Sequence, residues 1–168
     1  PATGWASIRL GRPFPGTVGA GQAVRLIDLP ADAGAGMGIF EALHGFTSPG
    51  ALADHLRVTA NQVYGTAARA FLERITAKPE GLADTLRQAM EGFVSSHCPL
   101  DADGQVKRAA DRFGLVAAAG SLATAAGILP WPSDEAEQAA AACFHAWIDH
   151  RGGTDAQEVQ AGVDAVRR

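Results

Sequence analysis

The chain has 168 residues, which suits one domain, and 47% of them are hydrophobic, which is enough for a folded core. A formal net charge of −4 argues against a module that holds nucleic acid by general electrostatic attraction. The two cysteines, Cys98 and Cys143, have neither the spacing of a disulfide framework nor that of a zinc site. This cysteine usage fits a cytoplasmic protein.

The first 47 residues are predicted to form an irregular arm, one or two short strands and a glycine-rich loop. Glycine and proline recur across residues 1–21 and disrupt both helix and sheet, apart from a short extended piece at Trp5–Leu10. The β-branched, apolar run Ala23–Leu29 is the best strand in the sequence. The loop Ala31–Gly38 follows, and a short helical turn is expected at Ile39–Leu43.

From residue 48 onward, apolar residues recur at helical spacing, so a helical domain is predicted over residues 48–168. Ser48 and Pro49 are typical of a helix start, and a break is expected at Gly65. Further helices are predicted from Pro79 to just before Pro99, from about Gly104 to Ala126, from Ser133 to Gly152, and from Asp155 to Arg168. The fold class is therefore mainly α, a helical bundle preceded by an irregular arm.

The helical periodicity also predicts which side chains are buried. The low-charge run Phe113–Pro130 is expected to be a buried helix rather than a membrane span. The apolar stripes are, for the first helices, Leu52, Leu56, Val63, Ala67, Phe71 and Ile75; for the helix after Gly104, Val106, Ala110, Phe113 and Ala117; and for the helix after Ser133, Ala136, Ala140, Cys143, Phe144, Trp147 and Ile148.

A phosphate-binding loop is absent from the sequence. Such a loop needs glycine-rich backbone amides followed by Lys and then Ser or Thr. The only lysines, Lys78 and Lys107, follow no glycine loop. We therefore expect that the chain cannot bind and hydrolyse a nucleotide alone.

Three features in or near the predicted strand have competing interpretations. The alternation of Gly34, Gly36 and Gly38 lacks the Gly-x-Gly-x-x-Gly spacing of a dinucleotide site, which favours a tightly turned connection. Asp28 either ligates a metal ion or, more commonly, caps the next turn. Arg25 is a charged residue inside the best strand, so it forms a structural ion pair or acts as a phosphate-sensing arginine across a subunit interface.

Other charged and nucleophilic residues give weaker signals. The sequence Asp101-Ala102-Asp103 lacks the ligand spacing of a calcium loop and is better explained as a turn and helix cap. The histidines show no recurrent metal spacing, so no metal site is predicted. Cys98 lies in a sequence environment that does not indicate a reactive thiol. Arg108 and Arg112 share one helical face, which is either solvated or a weak nucleic-acid contact.

The run Gly21–Glu41, with the sequence GQAVRLIDLPADAGAGMGIFE, resembles the bacterial and prophage primase–helicase family catalogued as domain of unknown function 927. The resemblance continues through Leu43–Phe46 and Tyr64–Glu73. It resumes at Arg112–Gly120 and Cys143–Trp147.

Members of this family resemble P-loop helicases with an upstream nucleotide site. The resemblance implies that this chain is the C-terminal part of such a protein and that residues 1–47 are a remnant of its α/β ATPase core. It implies ATP and Mg²⁺ as cofactors of the parent protein, with none in this chain. The implied partners are the N-terminal ATPase part, DNA and further copies of the parent, with no membrane. We hypothesise that Arg25 stabilises the γ-phosphate of a neighbouring subunit.

Three functions therefore stay open. The leading one is the C-terminal helical portion of an ATP-dependent helicase or primase-associated protein, not catalytically competent alone. The second is a free-standing helical interaction module without enzymatic activity. The third, a small-molecule enzyme whose pocket involves His44 or His97, is the least favoured.

Overall fold

A computed structural model of the chain describes residues 27–155, which form five α-helices and no strand. The prediction of a mainly α protein is confirmed for these residues. The helices are α1 (Pro49–Gln62), α2 (Thr66–Ala77), α3 (Leu82–His97), α4 (Gly104–Ala125) and α5 (Glu135–Arg151). The predicted arm, the predicted strand up to residue 26 and the final predicted helix from residue 156 lie outside the described residues.

The glycine-rich loop is a tightly turned connection. Gly34, Gly36 and Gly38 have φ angles of 85°, 68° and 65°, in the left-handed region that side chains with a Cβ rarely adopt. The amide of Ala33 donates to the carbonyl of Gly38 at 2.8 Å and closes the loop. The preference for a turned connection over a dinucleotide site agrees with this conformation.

The helical turn predicted at Ile39–Leu43 is wrong. The chain there is irregular and then reverses at His44 and Gly45, whose φ angles are 48° and 88°. The amide of Phe46 donates to the carbonyl of Leu43 at 2.9 Å across this reversal. A helix bounded by glycines on both sides over so few residues cannot repay the cost of nucleation.

The predicted start of α1 and the break after it are confirmed. The hydroxyl of Ser48 accepts a hydrogen bond from the amide of Ala51 at 3.1 Å, and Pro49 occupies the first helical position. Gly65, with a φ of 76°, separates α1 from α2.

The start of α3 is later than predicted. Pro79 does not open the helix; its carbonyl accepts from the amide of Leu82 at 3.2 Å in a turn, and Gly81 is left-handed at φ 76°. Similarly, α5 begins at Glu135 rather than Ser133, with Asp134 as its N-cap. Both predicted start residues lie in the turn before the helix.

A cap holds the start of α4. The carboxylate of Asp103 accepts from the amide of Gln105 at 2.8 Å, which confirms the cap in place of a calcium loop. The backbone amide of Asp103 donates to the carbonyl of Thr154 at 3.0 Å, so the chain after α5 returns to the start of α4.

The core lies where α4 packs against α3 on one side and α5 on the other. The predicted stripe of α4 is buried throughout. In α5 the stripe is buried except at Cys143, which is exposed, and Ile148, which is half-buried. Ala141, which was not in the predicted stripe, is buried as well. The buried face is centred between Ala140 and Phe144, so Ala141 and Cys143 lie on its opposite edges. No helix among the described residues is long and apolar enough to cross a bilayer.

Two glycines of α4 allow its neighbours to approach closely. A Cβ built at Gly114 would lie 3.3 Å from the Cα of Met90 in α3. A Cβ at Gly120 would lie 2.6 Å from the Cβ of Ala136 in α5, which real Cβ atoms essentially never do. The spacing between α4 and α5 therefore depends on the missing side chain at Gly120.

We expect Gly120→Ala to destabilise the protein. Forcing α4 and α5 apart costs about 1–3 kcal/mol by overpacking, which offsets or exceeds the gain in helix propensity of about 1 kcal/mol. The matched control is Gly92→Ala in α3, where the added Cβ meets nothing within 4 Å and should stabilise the helix. Urea unfolding followed by circular dichroism measures both changes. An equal stabilisation by the two substitutions would contradict the close approach.

Candidate functional site

The residues predicted to carry function are not gathered at one place in the described structure. Arg25 lies outside the described residues. Arg108 and Arg112 lie four residues apart on α4, and both are exposed, as predicted. The carboxylate of the exposed Asp111 lies beside them in sequence and offsets their charge. This face is therefore weakly basic.

The residues considered for metal binding lie at the surface. Asp28 and His44 are both exposed, at opposite ends of the glycine-rich loop and the turn that follows it. Within residues 27–155, no group of three or more His, Cys, Asp or Glu residues is placed to hold a metal ion.

The structure joins His97 to Glu137, a pair that sequence reasoning missed. The Nε2 atom of His97 lies 3.1 Å from Oε1 of Glu137. His97 is the last residue of α3, and Glu137 is in the first turn of α5. The contact therefore ties the end of α3 to the start of α5.

Aromatic rings surround this contact. The ring of His97 lies 4.7 Å from that of Phe93 and 6.2 Å from that of His145. The contact between His97 and Glu137 could not be predicted from the sequence, because forty residues separate the two and they belong to different helices. The His97 ring is already in contact with both Phe93 and Glu137, so the pair is best explained as a structural link between helices.

A shallow groove runs beside this pair between α3 and α4. Its volume is about 260 Å³, below the usual range of 300–1,000 Å³ for small-molecule sites. Ser96, Ser121 and Glu137 are its polar lining residues. The groove presents two hydroxyl groups and one carboxylate, but it is too shallow to enclose a ligand.

A second groove lies along α3 and the turn before α4, and Cys98 lines it together with Leu100 and Asp111. Burial raises the pKa of the Cys98 thiol, Lys107 opposes this shift, and Asp111 adds to it. Only the thiolate is a strong nucleophile, so Cys98 is poorly reactive near neutral pH. This direction agrees with the prediction that Cys98 is not a reactive thiol.

The most unusual surface is on α1 and α2. The extensive contacts between helices are those of α3 with α4 and of α4 with α5, and within the described residues neither α1 nor α2 makes one. Leu52 is the only buried residue of these two helices. Large apolar side chains are exposed along them and at their junction, at Leu56, Val58, Val63, Tyr64 and Leu72.

This exposure corrects part of the predicted apolar stripe. The spacing of Leu52 and Leu56 indicates a common face, yet the structure buries Leu52 and leaves Leu56 exposed. Phe71 and Ile75 are half-buried.

A helix of 14 or 12 residues is only marginally stable by itself in water, so α1 and α2 require packing to persist. The candidate functional site is therefore an interaction surface.

Comparison with known proteins gives no significant match to a protein-family model, a curated protein or a solved structure.

Proposed function

We propose that this chain is a helical assembly region of a larger ATP-driven protein of the helicase or primase-associated class. It would not hydrolyse ATP by itself, because a phosphate-binding loop is missing from its sequence. Its role would be to make contacts between parts or subunits of that protein. ATP and Mg²⁺ would bind the upstream ATPase part, which is its principal proposed partner.

The observation that carries this proposal is the unpacked state of α1 and α2. Large apolar side chains in contact with water cost free energy, and their number along two short helices is unusual for a surface that stays free. Tyr64, at the junction of the two helices, is 78% exposed. Tyrosine is enriched at the centres of protein interfaces.

The remaining three helices supply what such a region needs besides the surface. α3, α4 and α5 share a core of buried aromatic and alanine side chains, which gives the region a folded part beside the exposed helices α1 and α2. The ATPase and helicase part of the proposal rests on the resemblance of Gly21–Glu41 and the later blocks to the primase–helicase family. The proposed DNA contact is limited to Arg108 and Arg112, whose exposed face would bind weakly and with strong dependence on salt.

The decisive experiment compares ATP turnover of this chain with that of the longer protein that carries a phosphate-binding loop, each with and without DNA. The chain should show no turnover, whereas the longer protein should hydrolyse ATP. Leu56→Asp in the longer protein should lower turnover without unfolding the chain, because it places a charge in the proposed contact. Turnover by the chain itself would contradict the proposal.

The free-standing interaction module is the alternative favoured by the same exposed surface. It predicts that the DNA upstream encodes no phosphate-binding loop in any frame. In that case the chain would bind its partners through α1 and α2 without any coupling to ATP.

A further inference from the structure

The outer face of α2 carries a charge pattern that matches its own two-fold image. Arg69, Leu72, Glu73 and Thr76 follow the spacing i, i+3, i+4 and i+7, so they share one side of the helix. All four are exposed, and Leu72 is 58% exposed. One large apolar side chain therefore lies between opposite charges on a face that no neighbouring helix covers.

The two charges on this face are unpaired in the described part of the chain. Neither the guanidinium of Arg69 nor the carboxylate of Glu73 makes an ion pair there. Two other pairs of opposite charge on these helices do form ion pairs within their own helix. A guanidinium nitrogen of Arg57 lies 3.3 Å from Oδ1 of Asp54, and one of Arg87 lies 2.7 Å from Oδ1 of Asp84.

We infer that the outer face of α2 pairs with α2 of a second copy of this chain around a two-fold axis. An axis crossing the antiparallel helices at the level of Phe71 places each Arg69 opposite Glu73 of the other copy. The same axis brings the two Leu72 side chains together beside it. A contact of this kind is isologous, because the same patch serves both copies.

The charge pattern selects this occupant over others. A nucleic acid or an anionic membrane would meet the carboxylate of Glu73 in the middle of the face, where repulsion opposes binding. A second copy instead satisfies both Arg69 and Glu73 at once. The inference rests on the proposed assembly role, and it names one contact that such a region makes.

The pairing is expected to be weak. One helix face with a single large apolar residue is smaller than the roughly 800 Å² per partner of a stable interface. We therefore expect a dimer in rapid exchange with monomer, with a Kd on the order of 10⁻⁴ M. In the longer protein, other contacts would raise the effective concentration of the two faces.

Charge reversal tests the pairing by sedimentation equilibrium of the full chain. Arg69→Glu or Glu73→Arg alone should weaken the dimer roughly tenfold or more, because like charges then face each other. Mixing the two single variants should restore association as a heterodimer. The double variant Arg69→Glu with Glu73→Arg should restore the homodimer.

The matched control is Arg108→Glu, the same charge reversal on exposed α4, which should leave the dimer unchanged. Circular dichroism verifies that every variant is folded, and these exposed positions should not affect folding. A wild-type chain that stays monomeric at millimolar concentration would overturn the inference. So would a mixture of the two single variants that associates no better than each alone. A monomeric chain would leave the proposed function intact if Leu56→Asp still lowers turnover of the longer protein.

Discussion

Phe144→Ala is expected to remove about 3–5 kcal/mol from the free energy of unfolding, the range typical of deleting a buried aromatic side chain. The side chain of Phe144 is fully buried in the core. Its ring lies 5.5 Å from that of Phe113 in α4 and 6.2 Å from that of Phe93 in α3. The substitution would leave a cavity where α3, α4 and α5 meet.

A loss of this size is a large fraction of the free energy of unfolding, which is only about 5–15 kcal/mol for a typical protein domain. Urea unfolding followed by circular dichroism should show a much lower midpoint for Phe144→Ala. Phe144→Leu, which fills most of the cavity, should lose roughly 1–2 kcal/mol. Leu100→Ala is the exposed control, since Leu100 is 95% exposed and its loss should stay within about 0.5 kcal/mol. Equal losses for Phe144→Ala and Leu100→Ala would contradict the position of the core.

Local signals in the sequence predicted the helix ends well. The cap at Ser48, the break at Gly65 and the cap at Asp103 depend on hydrogen bonds or backbone angles within a few residues. The start residues at Pro79 and Ser133 were wrong by two or three positions. Proline and serine are also common in the turn that precedes a helix, and composition does not separate that turn from the first helical position.

Contacts between distant residues could not be predicted. The spacing of apolar residues shows which face of a helix is apolar, but not which element covers that face. The exposure of Leu56 and Leu72 on α1 and α2 and the pairing of His97 with Glu137 depend on how the helices pack. The candidate surface therefore emerges only from the structure. For the outer face of α2 alone, the proposed pairing with a second copy rests on the spacing of Arg69 and Glu73, which the sequence already shows, and on their exposure, which the structure adds.

In the longer ATP-driven protein proposed above, Arg25→Ala is expected to lower ATP turnover by roughly 10³-fold or more while ATP binding is kept. An arginine supplied in trans neutralises charge that develops on the γ-phosphate in the transition state, whereas nucleotide affinity depends mainly on the phosphate-binding loop. Arg25 lies outside the described residues, so this prediction follows from the resemblance. Arg25→Lys should retain little of the ATP turnover, because an ammonium group lacks the planar, forked donor geometry of the guanidinium.

The control for Arg25→Ala is Arg87→Ala, an exposed arginine of α3 that pairs with Asp84 in its own helix and should leave turnover unchanged. Mixing subunits gives the sharper measurement. Subunits with Arg25→Ala should regain part of their turnover when they assemble with subunits whose phosphate-binding lysine is mutated. The intact nucleotide site of the Arg25→Ala subunit then receives Arg25 from the lysine variant, whereas the site of the lysine variant stays inactive. Turnover unaffected by Arg25→Ala, or no recovery in the mixture, would contradict an action across the interface. Recovery would show that Arg25 of one subunit reaches the nucleotide site of its neighbour, which is the arrangement that the proposed assembly requires.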